Sequence, residues 1–159
     1  MDADAIRAIV ARLLDWEDAH AGFGKVVSGL PRALQGQVPS GLPYSPWQLL
    51  EHIRLTQRDI LDFCLNPAYE ERHWPDDYWP KSPAPPSASA WGKSVAGFRE
   101  DLEALKQLAL NPDVDLLAKV PAGEDQTYLR ELLLVADHTA YHLGELVVVR
   151  RALKAWPGS

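Results

Sequence analysis

The sequence predicts an all-α fold, and its helix lengths indicate a four-helix bundle. Four segments repeat their apolar residues with a period near 3.6, and no segment shows the strict alternation of a half-buried strand. Connections rich in proline and glycine separate the segments, as is typical of loops. A chain of 159 residues suffices for one domain with its own core, so we expect residues 1–159 to form a single domain.

The first predicted helix extends from about Asp4 to Leu30. Acidic residues at its start favour a helix N-terminus, and Pro31 follows its end. Its apolar stripe comprises Ile6, Ile9, Val10, Leu13, Trp16, His20, Phe23 and Val27. This stripe places His20 on the inward face of the helix.

The second predicted helix runs from Pro46 to about Leu65. Its start signal is strong, because Ser45 fits an N-cap, Pro46 the first helical position and Gln48 the third. The connection that follows contains about 20 residues dense in proline and aromatic side chains. At about 3.3 Å per extended residue it can span a 20-residue helix of roughly 30 Å, so the second and third helices can run parallel.

The third and fourth predicted helices complete the bundle. The third runs from about Ser87 to Leu110, where an Asn-Pro step ends it. The fourth runs from about Thr127 to Ala155. Because the connections are long, we expect them to form walls around one end of the bundle.

Composition excludes several classes of protein. Cys64 is the only cysteine and lies in an apolar run, which predicts a buried thiol and a reducing, cytoplasmic location. The N-terminus lacks the pattern of a secretory signal. The sequence contains no run of about 18 uninterrupted apolar residues, so we expect no membrane span. The net charge is −6 and the 16 basic residues are scattered, so we expect no nucleic-acid partner.

Two histidines, His138 and His142, stand four residues apart in the stretch DHTAYHLGE of the fourth helix. Side chains at this spacing share a helix face, so the two imidazoles can chelate one ion. Catalytic zinc commonly has three protein ligands. His52, on the inward side of the second helix, is the leading candidate for the third and His20 is the runner-up, whereas His73 lies among charged residues and prolines. The alternative for each is a core histidine hydrogen-bonded to a neighbour.

Two further side chains accompany the pair. Glu145 could orient His142 through its second nitrogen or act as a general base, or it could pair with an arginine. Tyr141 could donate a hydrogen bond to a ligand or pack against the second helix. No glutamate lies between the two histidines as in zinc peptidases, and neither paired ExxH segments nor a CxxCH motif is present.

The segments AHAGF, YSPWQLLEHIRLTQRDIL and LLVADHTAYHLGELVVVRR together resemble the DinB-like superfamily of bacterial metal-binding four-helix bundles. The resemblance spans essentially the whole chain. It implies an up-down-down-up helix order, homodimers, and one divalent ion bound by His52, His138 and His142 with open positions for water or substrate. It also implies that His20 is a pocket residue above the ion. Some members are transferases or isomerases that use a low-molecular-weight bacterial thiol.

The leading hypothesis is a metal-dependent enzyme acting on a small molecule, either a thiol-dependent transferase or a hydrolase. The ion, zinc or nickel, would activate a thiol or a water, and Glu145, Tyr141 or His20 would handle protons or orient the substrate. The alternative is a non-catalytic metal-binding or stress-associated module, or a metal-free dimerisation unit. A fourth protein ligand would indicate a structural ion, and an open position a catalytic one.

Overall fold

The fold is all-α in residues 3–157, which are the residues described by the computed structural model. Positions 1, 2, 158 and 159 of the expected single domain lie outside this range. The elements are α1 (Ala3–Leu13), α2 (Phe23–Val27), a 3₁₀ turn (Arg32–Leu34), α3 (Pro46–Leu65), α4 (Ala90–Leu110) and α5 (Tyr128–Ala152). The only β-type pairing among the described residues is one isolated bridge, between Lys119 and Thr127. The all-α prediction is therefore confirmed.

The prediction of one continuous first helix is wrong, because α1 ends at Leu13 and the chain becomes helical again only at Phe23. Three acidic residues lie in the segment 15–18, just beyond the end of α1, where the helix dipole disfavours negative charge. Gly22 then adopts an extended conformation against the Glu17 side chain. A Cβ at Gly22 would lie 2.0 Å from the carboxylate of Glu17, whose exposed side chain would have to turn aside to accept it.

The centre of the fold is α3, which packs against both α4 and α5. Two polar pairs fix its direction relative to α4. Near the start of both helices, Ser94 Oγ donates to Glu51 Oε2 at 2.6 Å. Further along both, Arg58 pairs with Asp101 at 3.1 Å. The residue numbers rise together, so α3 and α4 lie side by side in the same direction.

Two hydrophobic clusters show that α5 runs opposite to α3. The first cluster joins α1 to the later parts of α3 and α4 and to the beginning of α5; its members include Ile60, Cys64, Leu105, Leu108, Leu132 and Val135. The second joins α2 to the earlier parts of α3 and α4 and to the later part of α5; its members include Leu49, Ile53, Phe98, Leu143 and Leu146. This arrangement brings the first half of α3 opposite the middle of α5.

Within residues 3–157, α5 is the one helix whose length and composition would allow it to cross a membrane. Its apolar composition also has a simpler cause, because Leu132, Leu143 and Leu146 are buried in the two clusters. The absence of a membrane partner remains a prediction.

The start of α3 is built as the sequence predicts. Ser45 Oγ accepts from the Gln48 backbone N–H at 3.1 Å, and the Gln48 side chain accepts from the Ser45 N–H at 3.1 Å. Pro46 occupies the first helical turn. Ser45 Oγ also donates to the carbonyl of Pro83 at 2.5 Å, which ties the cap to the connection before α4.

We predict that Ser45→Ala lowers the free energy of unfolding by about 1–2 kcal/mol, because it removes a capping acceptor and a buried donor together. Urea denaturation measures the change. The matched control is Ser89→Ala, since Ser89 is the N-cap of α4 but makes no capping hydrogen bond through its side chain. We expect the control to change stability by less than about 0.5 kcal/mol. Equal effects of the two substitutions would contradict the role given to the Ser45 cap.

Candidate metal centre

The structure brings together the three histidines that the sequence singled out as ligands. His52 comes from α3, and His138 and His142 from successive turns of α5. The Nε2 atom of His52 lies 3.1 Å from His138 Nε2 and 3.2 Å from His142 Nε2. Candidate ligand atoms of all three lie within 4.8 Å of one another. Nitrogens about 2.0–2.1 Å from a tetrahedral zinc lie about 3.3 Å apart, so one ion fits these separations.

The proton on the His52 ring is held by a main-chain carbonyl. His52 Nδ1 lies 2.9 Å from the Tyr78 oxygen, which can only accept, so Nδ1 carries the hydrogen. His52 Nε2 is then a bare lone pair. The Trp79 ring stacks on His52 with centroids 3.8 Å apart and fixes the plane of the imidazole. His52 is 1% exposed, so its lone pair is withdrawn from water.

The His142 ring is oriented in the same way by a carboxylate. Its Nδ1 lies 2.6 Å from Glu145 Oε2, one helical turn further along α5. With the proton on Nδ1, His142 Nε2 also presents a lone pair. Two imidazole lone pairs facing each other at 3.2 Å repel unless a metal ion or a shared proton lies between them. The donor chemistry of this site therefore fits a metal ion.

Burial keeps two of the rings neutral. It lowers the pKa of His52 to about 4, against the opposing effect of the Tyr78 hydrogen bond, and the nearby His142 lowers it further. Burial also lowers the pKa of His138 to about 3, with further lowering by His142 and His52. Both imidazoles are thus neutral at pH 7, and a neutral imidazole has one nitrogen lone pair available to bind metal.

Two exposed aromatic rings lie beside the cluster. Tyr141 is 65% exposed and its ring lies 4.9 Å from His142. Trp74 is 63% exposed and its ring lies 6.4 Å from His52. This exposure does not agree with packing on the second helix, one of the two roles considered for Tyr141, and it leaves the hydroxyl group able to meet a ligand at the edge of the cluster.

The prediction that His20 points inward, above the ion, is also wrong. His20 is exposed, because the helix that would have turned it inward is interrupted. It lines an apolar cavity of about 400 Å³ together with Phe23, Phe98 and Asp137, and none of the three clustered histidines lines that cavity. His73 is exposed, as expected, beside Asp76.

Sequence reasoning expected the long connections to form walls around one end of the bundle, but it missed the main-chain contact that the connection between α3 and α4 makes with His52. Tyr78 supplies its carbonyl and Trp79 its ring to His52. The density of aromatic residues in HWPDDYWP signals that this connection packs against the helices, but a main-chain oxygen has no signature in a sequence. Cys64 is fully buried, as expected, and burial raises the pKa of its thiol to about 12, which removes it as a nucleophile at neutral pH.

We predict that the metal-free protein loses stability as the pH falls below about 6.5. The folded-state pKa of His52 lies below its unfolded value, so the unfolded state binds the proton first and acid favours unfolding. The contribution is absent above pH 6.5 and grows by up to about 1.4 kcal/mol per pH unit until about pH 4. Urea denaturation in chelator between pH 7.5 and 4.5 measures the slope.

The comparison that isolates His52 is the variant His52→Gln, which should reduce the slope and leave the part due to His138, whose pKa is also lowered. Exposed His73→Gln is the control that should leave the slope unchanged. Parallel curves for the wild type and His52→Gln would disprove the assignment.

Comparison with known proteins agrees with the site. A family model described as the DinB superfamily matches residues 15–146, which is most of the chain and includes all three histidines. No curated protein and no solved structure matches the chain significantly. With its helical fold and its buried cluster of three histidines, which is compatible with metal binding, the chain belongs to the DinB superfamily.

Proposed function

We propose that this protein is a metal-dependent enzyme in which His52, His138 and His142 hold one divalent ion and act on a small molecule. The observation that carries the proposal is the pair of bare Nε2 atoms of His52 and His142, 3.2 Å apart and each fixed by a partner on Nδ1. Hydrogen bonds to the second nitrogen of an imidazole are the usual support of a metal ligand. Three neutral nitrogens suit zinc or nickel, with cellular availability deciding between them.

A catalytic ion is favoured over a structural one because the site offers no fourth protein ligand. Among the described residues, the group of potential ligands contains the three histidines alone. Of the two side chains considered for the fourth position, Glu145 is engaged by His142 and His20 lines a different cavity. The non-catalytic metal-binding or stress-associated module is therefore the less favoured function.

The residues around the cluster have separable roles in this proposal. A bound ion would act as a Lewis acid that lowers the pKa of a thiol or water nucleophile toward neutrality. Glu145 keeps the proton on His142 Nδ1 and so orients that ring. Tyr141 presents its hydroxyl to the substrate from the exposed edge of the cluster. We give His20 no role in the reaction, because its side chain is exposed and lies outside the group of potential ligands.

A cavity lined by Glu145, the partner of His142, supports a small-molecule substrate close to the cluster; the three histidines themselves do not line it. It has a volume of about 240 Å³, and Glu145 lines it together with Leu42, Tyr44, Leu49 and Val148. Most of this lining is apolar. A small electrophile with an apolar portion fits such a surface, which is consistent with thiol transfer or hydrolysis.

The helix order and the assembly belong to the same proposal. Arg7 donates to the carbonyl of Ala109 at 3.2 Å, and Lys106 pairs with Asp15, so α1 and α4 run in opposite directions. With α4 parallel to α3 and α5 opposite to α3, these contacts support an up-down-down-up bundle. We also propose a homodimer, as the family resemblance implies, and a cytoplasmic location, as the single buried cysteine indicates.

We predict that His52→Ala, His138→Ala and His142→Ala each abolish stoichiometric zinc or nickel in the purified protein, because two imidazoles make a weak site. Elemental analysis of protein purified without chelator measures the metal content. His73→Ala is the matched control and should retain the metal, since His73 lies outside the group of ligands. Full occupancy in any one of the three ligand variants would remove that residue from the site.

We predict that the metal-loaded protein transfers a low-molecular-weight thiol to an electrophile or hydrolyses a small ester or amide. A panel of bacterial thiols with electrophiles, run beside a panel of hydrolysable substrates, measures this. Tyr141→Phe should lower kcat/KM by about 10-fold or more while leaving the metal content unchanged, because it removes only the proposed hydroxyl donor. Stoichiometric metal without activity on either panel would favour the non-catalytic module.

A further inference from the structure

Tyr78 contacts α3 at two points two helical turns apart. Its main-chain oxygen accepts from His52 Nδ1 at 2.9 Å, and its hydroxyl donates to Asp59 Oδ2 at 2.7 Å. His52 and Asp59 are separated by seven residues, which places them on one face of the helix about 10.5 Å apart along its axis. One residue of the connection is thus held at both ends by the same helix.

Asp59 is a buried carboxylate that gathers several parts of this connection. It is 7% exposed. The Tyr69 hydroxyl lies 3.2 Å from each of its oxygens, and Arg72 Nε lies 3.4 Å from Oδ1. Together with Tyr78, these contacts anchor the connection at three positions to a single side chain.

The Tyr78 hydroxyl is well suited to donate to this carboxylate. Tyr78 is 7% exposed, and burial and the adjacent Asp59 both raise its pKa. The hydroxyl therefore keeps its hydrogen throughout the physiological range. A protonated donor facing a buried carboxylate makes a charge-assisted hydrogen bond, which is stronger than a neutral one.

We propose that Asp59 and Tyr78 are positioning residues for His52. Asp59 fixes the Tyr78 side chain, and this holds the Tyr78 carbonyl where it keeps the proton on His52 Nδ1 and leaves Nε2 free for the ion. The inference rests on the proposed function for the role of His52 as a metal ligand. The tautomer that it assigns to His52 can be observed without any metal.

Trp79 limits how much of this effect a single substitution removes. It is the next residue in the chain, stacks on His52, and is itself stacked on Tyr44 with ring centroids 4.1 Å apart. The carbonyl can therefore move while the imidazole plane is retained. Loss of the Tyr78 anchor should change the tautomer of His52 and its affinity for metal without removing the site.

The decisive variant is Tyr78→Phe, which removes one oxygen and keeps both the ring and the main-chain carbonyl. Nitrogen-15 NMR of the metal-free protein in chelator reports the tautomer of each imidazole, with His52→Gln identifying the His52 signals. In the wild type we expect His52 to be protonated at Nδ1. In Tyr78→Phe we expect a substantial population protonated at Nε2 and faster solvent exchange of the Nδ1 hydrogen.

The role of the Asp59 carboxylate is tested by comparing a substitution that removes the hydrogen-bond acceptor with one that keeps it. Asp59→Ala should shift the His52 tautomer as Tyr78→Phe does, whereas Asp59→Asn should retain most of the wild-type tautomer because the amide oxygen still accepts from Tyr78. The matched control is Asp101→Ala, which removes a carboxylate of similar burial, 6% exposed, that pairs with Arg58 instead of the connection. It should leave the tautomer unchanged.

Metal affinity provides the second measurement. Zinc competition with a chromophoric chelator should show a roughly 10-fold weaker affinity in Tyr78→Phe, within the range for partners of ligating histidines. In a His52→Ala background, Tyr78→Phe should have no further effect on any residual zinc binding.

An unchanged His52 tautomer in Tyr78→Phe would overturn the inference even if Asp59→Ala failed to fold. A shifted tautomer in a protein that binds no metal would sustain the positioning of His52 and overturn the proposed function instead.

Discussion

The feature on which the site depends is the placement of hydrogens on two imidazole rings. The Tyr78 carbonyl and the Glu145 carboxylate each hold a hydrogen on Nδ1, of His52 and His142 respectively. Both Nε2 atoms are left as lone pairs facing each other in a poorly hydrated space. A folded chain gains nothing from this repulsion by itself, so the arrangement makes physical sense when a cation occupies the space between the rings.

The sequence predicts the parts of the fold that local chemistry decides. The capping residues Ser45, Pro46 and Gln48 set the start of α3, and this start determines which face His52 shares with the core. The spacing of His138 and His142 decides that they point together. His52 lies beside them because α3 and α5 run in opposite directions. Only the packing of the two hydrophobic clusters establishes those directions.

The predictions that the structure contradicts concern features that apolar periodicity alone does not decide. Periodicity continues across residues 14–22, yet the helix does not, because the acids there oppose the helix dipole. His20 was placed inward by this periodicity, but its side chain is exposed because the helix is interrupted. The Tyr78 carbonyl could not be predicted, since every residue carries one and only the path of the connection selects it.

Burial of the histidines makes the metal-free protein less stable in acid, but it favours metal binding at physiological pH. In the metal-free state it withdraws three imidazoles from water and lowers the pKa of His52 and His138, so the unfolded chain competes for protons more strongly than the folded one. The same burial keeps the rings of His52 and His138 neutral at physiological pH, so a metal ion displaces few protons from these two ligands on entry. The free energy with which the ion binds is then also free energy that stabilises the fold, because the unfolded chain has no such site. The long connection between α3 and α4 is therefore both a wall of the site and a part of the structure whose order metal binding favours.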